Sequence, residues 1–336
     1  MLKWEIKKIS KDKTSIIVLI LIAILFLQIS IAKPMLETQN EYWDEAKDEY
    51  IIDNRSKDVI GNEKLKAKVD EIKLIVSSSE DNKSLIDLSN EKLKVDDGNK
   101  YEDIDFYKVF TYRLDFTLSI IIMLIIILLL VSNLYTDEVV SNTATIILSS
   151  KNKNKVLFSK LGLSILLPIL LYGLYIGYIF LITYMQYGQP VNGNLQAYRI
   201  SDIAILTKAI TINQYIISKI ITTGLMLLGI SIVSMLVSFL SDNSIKSIVL
   251  SVGFIVLGKI LTLFRFLPKS LIAVLSISNY IDVTMGMSQI SGIYNGNIDI
   301  LSKSFDISNL CVSIYGLIIV FGILGCIYSI KKVLVK

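Results

Sequence analysis

The sequence predicts an all-α membrane protein. It has six transmembrane helices, a helical extracellular domain between the first and second, and a re-entrant hairpin before the sixth. Three observations carry this. The 336 residues are 53% hydrophobic with a mean hydropathy of +0.59, too apolar for an ordinary soluble domain. Six apolar runs are each long enough to cross a bilayer, which takes about 17–25 residues. One block is different in kind: residues 34–113 hold 20 acidic and 13 basic residues, a net of −7.

Residues 1–14, MLKWEIKKISKDKT, carry five lysines interleaved with Leu2, Trp4, Ile6 and Ile9. This reads as a short amphipathic helix on the cytoplasmic surface, with Trp4 as an interfacial anchor. A plain basic flank fits the same residues. Residues 15–32 form the first span. Their 18 uncharged residues exceed the ~7–15 of a signal-peptide core, and Ser30-Ile31-Ala32-Lys33-Pro34 is a poor cleavage site.

Residues 33–113 form the extracellular domain. Leu65, Val69, Ile72, Ile75 and Val76 recur at helical spacing, and no proline follows Pro34 until Pro168. Residues 77–83 and 96–100 read as loops. A domain this small has a thin core. Its acidic balance attracts cationic partners, although a solvated acidic face is the commoner meaning of such a surplus.

Residues 114–336 hold five more spans. Phe116–Leu134 is the second, flanked by Tyr112 and Tyr135 as interfacial aromatics. Residues 135–160 form a cytoplasmic loop. Leu161–Tyr187 is the third span, with Pro168 predicting a kink. A polar connection, Gly188–Lys219, leads to the fourth span, Ile220–Leu240. The tight turn Ser241–Lys246 precedes the fifth, Ser247–Phe264, where Lys259 lies near the outer end and can snorkel. Leu267–Met287 is apolar but broken by Pro268, Gly286 and several serines. It reads as a re-entrant hairpin, and an extracellular amphipathic segment fits nearly as well. Leu310–Ile330 is the sixth span, followed by Lys331, Lys332 and Lys336.

The lysines set the orientation. Five fall in residues 1–14, four in 137–160, then Lys246, then three in the tail. All lie on one side if both termini are cytoplasmic, in agreement with the positive-inside rule. The acidic domain is then outside. The abundance of Ile, Lys and Asn fits the bias of an AT-rich genome, as in some Gram-positive bacteria, and the expected location is a bacterial plasma membrane.

Much chemistry is excluded. There is no histidine, so histidine acid–base catalysis, histidine-ligated metals and Ser-His-Asp triads are absent. Cys311 and Cys326 are about 22 Å apart along one helix and serve packing. The only Gly-Lys pair, Gly258-Lys259, lies inside a span and is not a phosphate loop. No charge sits mid-span as a proton- or sodium-coupled carrier would require. If the chain is part of a pump, its energy comes from elsewhere.

The loop after the second span, DEVVSNTATIILSSKNKNKVLFSK (137–160), is the candidate site. Asp137 and Glu138 suit a helix start, where the dipole favours acids. Ile146, Ile147 and Leu148 are apolar residues in water unless a partner covers them. The loop resembles the first cytoplasmic loop of ATP-binding-cassette (ABC) permeases of the second exporter class. Glu138 matches that motif's glutamate, Thr143 its threonine, Ile147 and Leu148 its apolar pair, and Lys160 its final basic residue. Asn142 stands where glycine is usual, Lys151 where proline is usual, and Asn154 where arginine is usual. The order of spans resembles the same family throughout, apart from the outer domain.

The resemblance implies a permease subunit that exports an amphiphilic substrate, such as a peptide antibiotic, a drug or a lipid. It implies a separate ABC ATPase docked on a coupling helix, Asp137–Ser150, and a second permease copy or a homologous permease beside it. The chain itself would bind no cofactor, since ATP–Mg sits on the ATPase, and no nucleic acid. Two other classes remain open. One is a non-transporting sensor or assembly protein acting through its acidic domain. The other is a secondary transporter.

Overall fold

The computed structural model describes residues 2–9, 13–45, 48–78, 83–95, 100–200, 209–264, 266–285, 297–300 and 303–333. Six of its helices are long and apolar enough to cross a membrane. They are α2 (Lys13–Ile31), α6 (Thr117–Val140), α8 (Lys153–Tyr187), α9 (Ile212–Leu240), α10 (Ser244–Thr262) and α13 (Ile307–Tyr328). Each covers most or all of one expected span, so the chain is a helical, multi-pass membrane protein. The helices overrun the apolar runs because a helix continues wherever its polar end finds partners. The clearest case is α8, which starts eight residues before the expected Leu161 and is about 52 Å long.

Helix α9 is the hub, packed against α6, α8, α10 and α13. Its contact with α13 depends on small residues. A methyl group at Gly322 would come 2.7 Å from Ile232, and one at Gly325 would come 3.0 Å from Leu236. Close backbone approach of this kind is how helices associate where lipid removes the hydrophobic drive.

Pro168 lies inside α8 and is buried. A proline cannot donate to the carbonyl four residues back, so Ser164 loses its helical partner. Ser231 of α9 supplies one, its Oγ donating to the Ser164 carbonyl at 2.6 Å. Ser231→Ala is expected to destabilise the bundle by about 0.6–1.5 kcal/mol in a detergent unfolding titration. In a Pro168→Ala background the same change is expected to cost clearly less, because the backbone donor returns.

The domain between α2 and α6 is built of α3 (Lys57–Ser78), α4 (Lys83–Val95), α5 (Asp105–Leu114) and a two-stranded hairpin, β1 (Glu41–Asp44) with β2 (Glu49–Ile52). Leu65, Val69 and Ile72 are buried on α3, as their spacing predicts. The hairpin is an addition to the helical expectation, favoured by its Tyr, Trp and Ile content. Arg55 ties its base to α3 by pairing with both Asp53 and Glu63, and the Arg55 hydrogen bonds hold the Asp53 carboxyl down to about 2. Glu37 pairs with Lys68 of α3 at 2.9 Å and Lys108 of α5 at 2.8 Å. The loops expected at 77–83 and 96–100 fall largely outside the described residues.

Helix α5 is docked through Arg113, whose guanidinium is buried. It donates to the Ala32 carbonyl at 2.9 Å, to Thr183 Oγ1 at 2.8 Å and to Gln186 Oε1 at 2.5 Å. This joins α5 to the same ends of α2 and α8.

Between α10 and α13 lie two short helices, α11 (Lys269–Ser278) and α12 (Tyr280–Thr284), and a second hairpin, β3 (Asn297–Ile300) with β4 (Lys303–Asp306). Asn279 breaks α11 from α12 and caps the latter, its Oδ1 accepting from the Asp282 amide at 2.8 Å. Lys259 of α10 does not snorkel alone, as the sequence suggested. Its ammonium is paired with Asp282 at 2.7 and 2.9 Å. Tyr315 of α13 donates to the Ser278 carbonyl at 3.1 Å. The last part of Leu267–Met287 passes into residues outside those described.

Candidate functional site

The candidate loop begins differently from its expectation. Asp137 and Glu138 do not start a helix; they occupy the last turn of α6, which runs unbroken to Val140. An acid there opposes the helix dipole. Lysines reverse the balance. Lys160, wholly buried in α8, donates to Glu138 Oε1 at 2.8 Å, to Glu5 Oε2 at 2.9 Å and to the Leu134 carbonyl at 2.7 Å. Those three acceptors use all three N–H groups of the ammonium. Glu138 Oε1 also pairs with Lys8 at 2.9 Å. Two carboxylates and two ammoniums therefore cancel in one compact cluster.

The cluster joins three elements. Glu5 and Lys8 lie on α1 (Leu2–Ile9), one helical turn apart and on the same face, with Glu5 buried and Trp4 exposed. Glu138 lies on α6 and Lys160 on α8. The amphipathic N-terminal helix is thus held down by an ion pair as well as by any interface around it. Sequence reading passed over Glu5 and Lys8. The available signal was a lone glutamate among five lysines, three residues before one of them.

Asp137 is half-buried and faces another way. Ser244, the first residue of α10, donates its Oγ to Asp137 Oδ1 at 3.0 Å and lies 3.0 Å from Thr136 Oγ1. This ties the end of α6 to the start of α10, where Asn243 accepts from the Lys246 amide.

After α6 the chain reverses through Asn142, whose φ of 55° and ψ of 12° are left-handed. Glycine adopts that conformation freely, and asparagine is among the few other residues that tolerate it. Ser141 Oγ donates to the Asp137 carbonyl at 2.7 Å, and Thr143 Oγ1 sits 3.0 Å from Ser141 Oγ and donates to the Glu138 carbonyl at 3.4 Å. These bonds fix the turn.

A two-turn helix follows, α7 (Thr143–Ser149), lying against α6 and α8. The segment Asp137–Ser150 is therefore a helix end, a turn and a short helix, rather than the one helix expected from Asp137 to Ser150. Ala144 is buried beneath it. Ile147 and Leu148 are half-buried, and Leu148 packs on the core. Ile146 stands out at 69% exposed. The seven predicted site residues thus share one end of the bundle; Asp137 turns to α10 and Leu148 inward to the core, and the other five separate into two sets. Glu138 and Lys160 form a buried clamp, with Thr143 on the turn above it. Ile146, flanked by Ile147, forms the outward surface.

Beside the clamp, α1, the start of α2 and the end of α6 surround a cavity of about 760 Å³. Trp4, Leu130, Leu134 and Val140 give it an apolar wall, and Lys7, Lys8 and Asp137 a charged rim. Among the described residues no group of three or more His, Cys, Asp or Glu side chains could hold a metal.

The fold and this end of it define a polytopic helical membrane protein that presents a short, rigidly held helix beyond its spans. Comparison with protein-family models and with curated proteins finds no match.

Proposed function

We propose that the chain is the membrane-spanning permease subunit of an ATP-driven exporter of the second ABC class. It moves an amphiphilic substrate outward and takes its energy from a separate ATPase docked on α7. The observation that carries this reading is the presentation of α7. A seven-residue helix sits after the second span on a turn fixed by Asn142 and a buried Glu138–Lys160 clamp, with Ile146 uncovered at its surface. An apolar side chain held out on a rigid base suits insertion into a partner's groove. Asn142 also answers the departure from the family's usual glycine, because the position has the left-handed backbone that glycine supplies.

Orientation follows from the lysines. With both termini in the cytoplasm, α7 and the Ser241–Asn243 turn face inward, and residues 33–113 face outward. The re-entrant reading of α11 and α12 is supported by depth. Counting from that inner turn, Lys259 lies about 22 Å along α10 and Gly229 about 16 Å along α9. Asp282 meets the first, and Tyr280 Oη would lie 2.9 Å from a methyl group at the second. Both depths fall within a hydrocarbon core about 30 Å thick. Lys259 and Asp282 then form an ion pair inside the membrane, where each charge needs the other.

The reading makes Ile146, rather than Leu148, the residue to change. Ile146→Asp leaves the bundle intact and places a charge in the groove that isoleucine would fill. Losing that burial removes roughly 1.5–3 kcal/mol, about tenfold or more in affinity. Co-purification of the proposed ABC ATPase is expected to fall accordingly, with normal membrane insertion. Full ATPase association and full export by Ile146→Asp would remove α7 as the docking element.

A further inference from the structure

The hairpin of β1 and β2 carries an uncovered face. Its register pairs Glu41 with Ile52, Tyr42 with Ile51, Trp43 with Tyr50 and Asp44 with Glu49. Side chains alternate across a strand, so Glu41, Trp43, Tyr50 and Ile52 share one face. Trp43 is 46% exposed, Tyr50 71% and Ile52 63%. The Trp43 and Tyr50 rings meet edge to face, with centroids 5.0 Å apart. An aromatic pair and an isoleucine side by side in solvent suggest a surface that is covered in use.

Charge decides what covers it. Residues 41–52 hold five acidic residues and one basic, a net of −4. Glu41 stands on the aromatic face itself, and Glu45, Asp48 and Glu49 are exposed around the turn. Among the described residues no ion pair engages any of these four. An anionic bilayer or an acidic partner is repelled from such a rim, whereas a cation is attracted to the carboxylates and to the tryptophan face alike.

The strip is only four residues long, about 13 Å. It matches about two turns of an amphipathic helix and is small for a folded partner. We infer that this hairpin is a binding site for a cationic amphipathic peptide. The peptide's apolar side rests on Trp43, Tyr50 and Ile52, and its lysines or arginines reach Glu41 and Glu49. Where the peptide is met rests on the outward placement proposed above; the binding itself does not. The site also narrows the amphiphilic cargo of that proposal to one chemical class.

The chain contains two tryptophans, Trp4 and Trp43. A Trp4→Phe variant therefore reports from the hairpin alone. The full chain would be held in nanodiscs of zwitterionic lipid and titrated with a tryptophan-free Lys/Leu amphipathic peptide. Trp43 emission is expected to shift saturably to the blue. The matching Glu/Leu peptide is expected to leave it unmoved. Glu41→Lys with Glu49→Lys, both on the surface, is expected to weaken binding at least about tenfold. Tyr50→Ala is expected to weaken it as well, without altering the fold of the spans.

Equal responses to the two peptides, or no response to either, would overturn the site. So would a blue shift on adding phosphatidylglycerol vesicles without peptide, which would make the hairpin a membrane contact. Because the readout needs no ATPase, its failure is separate from failure of the exporter reading.

Discussion

Lys160→Met is expected to unclamp the end of the bundle where α1, α6 and α8 meet, at about 3–5 kcal/mol. The side chain is fully buried and neutralises Glu5 and Glu138, whose side chains are only 8% and 4% exposed. Methionine keeps the length and removes the charge. Glu138 retains Lys8, but Glu5 is left with a desolvated carboxylate and no cation. Breaking one partner out of a buried ionic group is far more damaging than never having had the group. The expected result is a lower thermal midpoint in detergent and release of α1, read as new protease cleavage near Trp4. The triple variant Glu5→Leu, Glu138→Leu, Lys160→Met is expected to recover most of the stability. If the triple variant is no better than Lys160→Met, the damage comes from packing rather than charge.

Arg113→Met is expected to free α5 from the bundle, at about 2–4 kcal/mol. The guanidinium is the shared donor for the Ala32 carbonyl, Thr183 and Gln186, and each buried group left without a partner costs about 1–3 kcal/mol. Among the described residues no carboxylate is a hydrogen-bond partner of Arg113, so its removal strands acceptors rather than a charge. Arg113→Lys is expected to fall between, because an ammonium cannot reach three acceptors with the geometry of a planar fork. The measurement is limited proteolysis of residues 34–113 beside the thermal midpoint. Loss of protection in that block, with α6 to α13 still resistant, is the expected pattern. Uniform loss across the chain would instead make Arg113 a global core residue.

The spans were legible because length and apolarity alone specify them, and all six fall where the runs lie. What was not legible is where charges find their partners. Asp137 and Glu138 look the same at a helix start as at a helix end. Lys160, 22 residues on, decides between them, and it was one of four lysines in the loop. Lys259 looked like an interfacial lysine because Asp282, 23 residues on, lies beyond the helix break at Asn279. Leu148 and Ile146 could not be separated by composition. Only the packing of α7 on α6 and α8 turns one inward and the other out. The β1–β2 hairpin did leave a trace, in the alternation of Tyr42-Trp43 and Tyr50-Ile51, but acidic neighbours and a short length hid it within a helical block.

Helix α7 is proposed to meet an ATPase on the cytoplasmic side. Benzoylphenylalanine placed at Ile146 and irradiated in intact cells tests this most directly, with the exposed Leu74 of α3 as the control position. An adduct from position 146 that mass spectrometry identifies as an ABC ATPase is expected, and none with that protein from position 74. Adducts from 146 to lipid or extracellular protein alone, or an ATPase adduct from 74 instead, would contradict it.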